Sequence, residues 1–251
     1  MQTGAITGYI DVAQLVLYAF WIFFAGLIYY LHRENKREGY PLESDRSRSI
    51  TVQGWPAVPS PKIFRLANGD TVEAPNARRD NQPPLHEGAY RGSPLQPDGD
   101  PLLAGVGPGA WANRADVADL TYEGVIKIVP LRVAPGFGVA PQDVDPRGLP
   151  VLGADGVEGG RVVDLWVDRS EMLFRYLEMD VPGAGRVLLP MNFAKVHDRH
   201  IRVRAILGHQ FARVPALRQP EQVTLREEEK IMAYYGAGTL YATPQRQEPL
   251  L

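Results

Sequence analysis

The sequence predicts one transmembrane α-helix followed by a mainly-β globular part that carries a helix near its C-terminus. Three observations point to that class. A twenty-residue run without a formal charge lies near the N-terminus. Half of the prolines then crowd into little more than a quarter of the chain. Short β-branched segments separated by Gly, Pro, Asn and Asp fill much of the remainder. The 251 residues can bury a sizeable core, and the absence of Cys excludes disulfides, thiolate catalysis, Cys-ligated zinc and iron–sulfur clusters. A net charge of -2 lacks the basic excess of a nucleic-acid binder.

Residues 12–31 read VAQLVLYAFWIFFAGLIYYL, with Gln14 the only strongly polar side chain. At about 1.5 Å per residue they span roughly 30 Å, the thickness of a bilayer's hydrocarbon core. A cleaved signal peptide would need basic residues before the run and a small-residue cleavage site after it. Residues 1–11 hold no Lys or Arg, and His32-Arg-Glu-Asn-Lys-Arg37 follows. Positive charge gathers on one side only, at Arg33, Lys36, Arg37, Arg46 and Arg48. The positive-inside rule therefore expects residues 1–11 outside and everything beyond residue 31 in the cytoplasm. Tyr29, Tyr30, Arg33, Lys36, Arg37 and Tyr40 are the expected residues of the inner membrane interface.

Residues 32–105 are expected to form an extended surface segment. Eleven of the 22 prolines fall between positions 41 and 110. Strings such as Pro56-Ala-Val-Pro59-Ser-Pro61 and Gln82-Pro83-Pro84 forbid helix and central strand. Lys62 to Val72 reads as a short hairpin turning at Asn68-Gly69. Trp55, Ile63, Phe64, Leu66, Tyr90, Leu95, Leu102 and Leu103 are spaced like anchors. The strip is thus expected to lie along a partner, with a plain linker as the alternative.

Residues 106–251 carry the globular part. Residues 160–168, 173–179, 186–189 and 201–206 read as strands with close turns, as in a small antiparallel barrel or sandwich. Thr224-Leu-Arg-Glu227 is a capping box that opens a helix over 225–235, with Gly236 as its expected stop. Gly107-Pro-Gly and Gly236-Ala-Gly lack the setting of a phosphate loop. His197-Asp-Arg-His200 reads as a polar turn rather than a metal site, since no further ligands cluster with it. No nucleophile elbow is present, so no active site is expected. Asp164 and Asp168 alternate on one strand face, with Arg169, Glu171, Arg175 and Glu178 close behind. Such a group is either a solvated surface or, at an interface, a set of coupled acids able to pass protons.

The order of several motifs along the chain resembles the H subunit of the purple bacterial photosynthetic reaction centre. They are Phe20-Trp-Ile-Phe-Phe-Ala-Gly-Leu-Ile-Tyr-Tyr30, Arg37-Glu-Gly-Tyr-Pro-Leu42, Val106-Gly-Pro108, Gly148-Leu-Pro150, Val163-Asp-Leu-Trp-Val-Asp168 and Leu225-Arg-Glu-Glu. The strand-rich part looks like a PRC-type β-barrel. The resemblance implies a subunit without pigments, an accessory rather than an enzyme, in the bacterial inner (intracytoplasmic) membrane with a periplasmic N-terminus. Its implied partners are the L and M subunits, the core light-harvesting antenna and membrane lipids. Bacteriochlorophyll, bacteriopheophytin, quinones and non-haem iron would all belong to partner subunits. A membrane-tethered PRC-barrel adaptor for another cytoplasmic partner is the alternative.

By motif, the resemblance implies that Asp168 and Glu171 are the acidic pair near the secondary quinone. Arg175 would be a nearby basic residue and Asp119 an acid on the proton-entry side. Some relatives carry Asp-Gly-His-Gly-His at that entry. Here the stretch is Thr121-Tyr-Glu-Gly-Val125, leaving Glu123 as its only carboxylate.

Overall fold

A computed structural model describes residues 6, 11–43, 51–66, 69–76, 85–86 and 96–247. Most of the segment 1–11, the cations Arg46 and Arg48, the turn residue Asn68, the Pro83-Pro84 string and the anchors Tyr90 and Leu95 lie outside the described residues. The chain divides into two units, Met1–Gln82 and Pro83–Leu251. That division falls inside the expected surface segment.

In the first unit α1 spans Val12–Asn35. Asp11 caps it by accepting from the Gln14 N–H at 2.7 Å, and Lys36 follows its last turn. None of its residues is buried within the chain, so its apolar surface on every side needs a non-aqueous environment. The helix outlasts the apolar run by four residues, and those residues begin to organise the proline-rich segment.

Proline-rich backbone cannot satisfy its carbonyls in a ladder, so here cationic side chains do so. Lys36 Nζ donates to the carbonyls of Gln53 and Pro56, both at 2.6 Å. Arg37 reaches the carbonyls of Ser60 at 2.7 Å and Ala74 at 3.0 Å. Two short pairs complete the unit: β1 (Leu42–Glu43) with β2 (Thr51–Val52), and β3 (Lys62–Arg65) with β4 (Thr71–Ala74). The β3–β4 hairpin matches the expectation.

The second unit opens with the short pair β5 (Leu85–His86) and β6 (Gln96–Pro97). Its main sheet contains β7 (Ile128–Pro130), β8 (Pro150–Leu152), β9 (Glu158–Asp168), β10 (Leu173–Val181), β11 (Gly185–Pro190), β12 (Ala194–Val196) and β13 (Ile201–Val203). The order is β11-β10-β9-β8-β13-β12, with β7 on the far end of β9. Trp166, Leu165, Leu177, Met179 and Leu189 form the centre of the core, against Ile231, Tyr234 and Tyr235 of α2 (Leu225–Tyr241). The second unit is therefore mainly β and carries a terminal helix, as expected.

Three expectations need correction. The sheet is not purely antiparallel, because β8 and β13 pair in parallel; these strands are far apart in sequence, which allows the long crossover such a pair requires. The 201–206 strand leaves the ladder after Val203. Finally, α2 runs through Gly236 to Tyr241. A Cβ at Gly236 would stand 2.3 Å from the Pro108 carbonyl oxygen. This glycine permits close packing inside the helix and does not end it.

Candidate functional site

The long β9–β10 hairpin positions the candidate site. Asp168 closes β9 and is 1% exposed. Its Oδ1 accepts the backbone N–H groups of Ser170 and Glu171, both at 3.0 Å, forming an Asx turn that starts the reversal into β10. Met172, at φ 56°, completes the turn by donating its N–H to the Asp168 carbonyl at 2.9 Å. A bulge between Phe174 and Tyr176 interrupts the pairing at Arg175, and bulges re-aim side chains in this way.

The other carboxylate oxygen, Asp168 Oδ2, is buried and accepts no hydrogen bond. Its nearest cation is Lys127 Nζ at 3.6 Å, and the same ammonium stands 3.5 Å from Asp119 Oδ2. Lys127 thus places one positive charge between two carboxylates that would otherwise repel. All three line a cleft of about 760 Å³, together with Arg114, Arg175 and Glu228. Glu228, 8% exposed, accepts from the Tyr176 hydroxyl at 2.7 Å. Burial lifts Glu228 above the usual carboxylate range, against the opposing pull of the Tyr176 hydrogen bond and the Arg175 and Arg114 charges. Burial likewise drives the Tyr176 phenol far above its ordinary value.

The structure therefore brings Asp119, Asp168 and Arg175 to one cleft. Glu171 stands at its edge: its backbone N–H contacts Asp168, while its side chain is exposed on the turn. Glu123 is exposed in the 121–125 loop and is not among the lining residues. Lys127, Tyr176 and Glu228 were missed by the sequence reasoning. Glu228 did leave a signal, since it precedes the buried Ile231 and Tyr235 by three and seven positions on one helical face. Among the described residues no group of three or more His, Asp or Glu is arranged for a metal ion.

The interface residues fall into two groups. Arg33 is exposed at the end of α1. Lys36 is 3% exposed and lies 5.0 Å from the Tyr40 ring, so its charge serves the fold of the first unit. Tyr29 packs on Trp55 at 5.6 Å and Tyr30 lies under Lys62 Nζ at 5.7 Å. Of the expected anchors, Trp55, Ile63, Phe64, Leu66 and Leu103 are exposed, whereas Leu102 is in the core of the second unit and cannot serve a partner.

Residues 142–210 match the model of the PRC-barrel domain. Residues 4–133, more than half of the chain, match that of the photosynthetic reaction centre H-chain N-terminal region. With an apolar helix leading into a PRC-type unit, the chain belongs to the reaction centre H-chain family.

Proposed function

We propose that this chain is the pigment-free H subunit of a light-driven electron-transfer complex in a bacterial inner membrane. In this reading α1 crosses the bilayer with residues 1–11 in the periplasm. The remainder caps the cytoplasmic face of the L and M subunits, which hold the bacteriochlorophylls, bacteriopheophytins, quinones and non-haem iron. The chain has no active site of its own. The exposed Met172 and Leu173 at the hairpin tip, with Trp55 and Ile63 of the first unit, supply apolar surface for such partners.

Its chemical task is to deliver protons to the doubly reduced secondary quinone while keeping bulk water away. The observation that carries this reading is the unpartnered Asp168 Oδ2, buried at the cleft and linked through Lys127 to the half-buried Asp119. A buried polar atom without a partner is costly and asks for a reason, and a group that must repeatedly accept and release a proton supplies one. Arg175 and Glu228 shape the field along the same cleft. Glu171 serves as the surface acid beside Asp168, and Glu123 as an outer collecting carboxylate.

The test uses the assembled complex. Glu171→Gln and Asp168→Asn are expected to slow the second, proton-coupled electron transfer to the secondary quinone and flash-induced proton uptake. The initial charge separation, which takes place among pigments held by the partners, is expected to be unchanged. Normal uptake in both variants would leave these carboxylates as ordinary surface charge.

A further inference from the structure

A second cleft has a different character. Along residues 194–204 the sequence AKVHDRHIRVR alternates, so that Ile201 and Val203 enter the core while Lys195, Arg202 and Arg204 face solvent. Lys195 stands directly opposite Arg202 in the β12–β13 ladder, and like charges so placed are unfavourable. Four other exposed cations of this unit, Arg147, Arg161, Arg213 and Arg218, each lie against a carboxylate, whereas Arg175 and Arg199 are exposed without one among the described residues. Among the described residues Lys195, Arg202 and Arg204 have no such partner.

These three side chains and Arg246 line a concavity of about 650 Å³, with Asn192 and Thr239 as neutral polar groups and, among the described residues, no carboxylate in the lining. Arg246 is held in place by the carbonyls of Ala205 and Gly238, both at 2.5 Å, and of Arg204 at 2.8 Å. Neutral acceptors fix the guanidinium without cancelling its charge, and two of its five N–H donors stay free. A concavity of this size suits a small ligand, and arginine forks match phosphate oxygens in pairs.

We infer that this cleft binds an anion with two adjacent phosphate groups. Four converging cations exceed what a single carboxylate would require, and a diphosphate spreads its charge over a comparable width. The inference is independent of the proposed proton path, because none of the four cations lines the first cleft, although Asn192 borders both. Diphosphate chemistry can come from a soluble compound or from the paired phosphodiesters of an anionic lipid headgroup.

The full chain in non-ionic detergent is titrated with inorganic pyrophosphate by calorimetry at low ionic strength. One saturable site is expected, weakening as salt is added. Arg202→Gln/Arg204→Gln is expected to weaken it at least about tenfold, the loss of one or two charge-assisted bonds. Arg161→Gln, paired with Glu158 outside this cleft, is expected to bind normally. Lys195→Gln gives an independent reading, with weaker binding and a melting temperature no lower than that of the parent. Bis(glycerophospho)glycerol, which carries two phosphodiesters, identifies the source: displacement of pyrophosphate at equal concentration assigns the cleft to lipid headgroups, and failure to displace assigns it to soluble diphosphates. No saturable binding, or equal binding by the double variant, would overturn the inference.

Discussion

Asp164 and Asp168 stand four residues apart on one face of β9, at 6% and 1% exposure, yet their surroundings are opposite in kind. Asp164 is fully partnered: Oδ1 accepts the Leu165 N–H at 2.8 Å, and Oδ2 accepts the Arg132 N–H at 3.3 Å and its guanidinium at 3.1 Å. Its cross-strand neighbour Glu178 accepts from the same guanidinium at 2.6 Å and from the Trp166 indole at 2.9 Å. Asp168 has one satisfied oxygen and one bare one, 3.6 Å from a shared lysine. Two like residues on one strand, each lining a cleft, thus separate into a closed network, in which both Asp164 oxygens are hydrogen-bonded, and an open one that leaves an Asp168 oxygen bare. Burial alone does not separate the two acids; the hydrogen bonding of their oxygens does.

The largest effect is expected where the network is closed. Glu178→Ala removes an acceptor from Arg132 and from the Trp166 indole, leaving a buried N–H unpaired. It should lower stability by about 3 kcal/mol. Chemical denaturation followed through Trp166 fluorescence measures this. A loss below about 1 kcal/mol would show that water replaces the carboxylate and that the network is not closed.

The matched pair Asp164→Asn and Asp168→Asn comes next. In Asp164→Asn an amide N–H₂ competes with Arg132 for the same space, at a cost of about 2 kcal/mol. In Asp168→Asn the amide oxygen can keep the Ser170 and Glu171 bonds, while its nitrogen replaces an atom that accepts nothing. The cost should stay below about 1 kcal/mol. Equal losses in the two variants would break the distinction between the networks.

How much of this was legible depends on how local the cause is. The apolar run, the β9–β10 alternation and the Thr224–Glu227 capping box are local patterns, and each produced its element. Gly236 was misread because a glycine that ends a helix and one that lets a carbonyl approach look alike without the neighbouring Pro108. The β8–β13 pairing joins distant segments and left no local trace. At the site, Asp168 and Arg175 entered through the charge pattern of one strand face as well as the resemblance, and Asp119 through the resemblance alone; the cleft brings the three together. Lys127 lies between Ile126 and Ile128, where alternation reads it as ordinary surface charge. Lys36 followed a membrane helix and was read as an interfacial cation, but the strip's unpaired carbonyls claimed it.

The smallest effect concerns Glu228, which carries the comparison onto α2. Burial raises its native titration above the usual range, while the Tyr176 hydroxyl and the Arg175 and Arg114 charges pull it down. The native chain therefore holds this proton more tightly than the unfolded chain, whose carboxyl titrates near 4.5. Below that pH both states are protonated and the group does not alter stability. As pH rises through the raised native value the native state is penalised, with a slope bounded by about 1.4 kcal/mol per pH unit for one proton. Glu228→Gln can retain the Tyr176 bond through its amide oxygen and never ionises. Denaturation at a series of pH values should show parent and variant alike in acid, with the variant gaining on the parent toward neutral pH. If instead the parent gained on the variant as pH rose, the two arginines would outweigh burial. The cleft would then be closed by ion pairs much as the Asp164 network is, and Asp168 would be the sole under-satisfied acid in it.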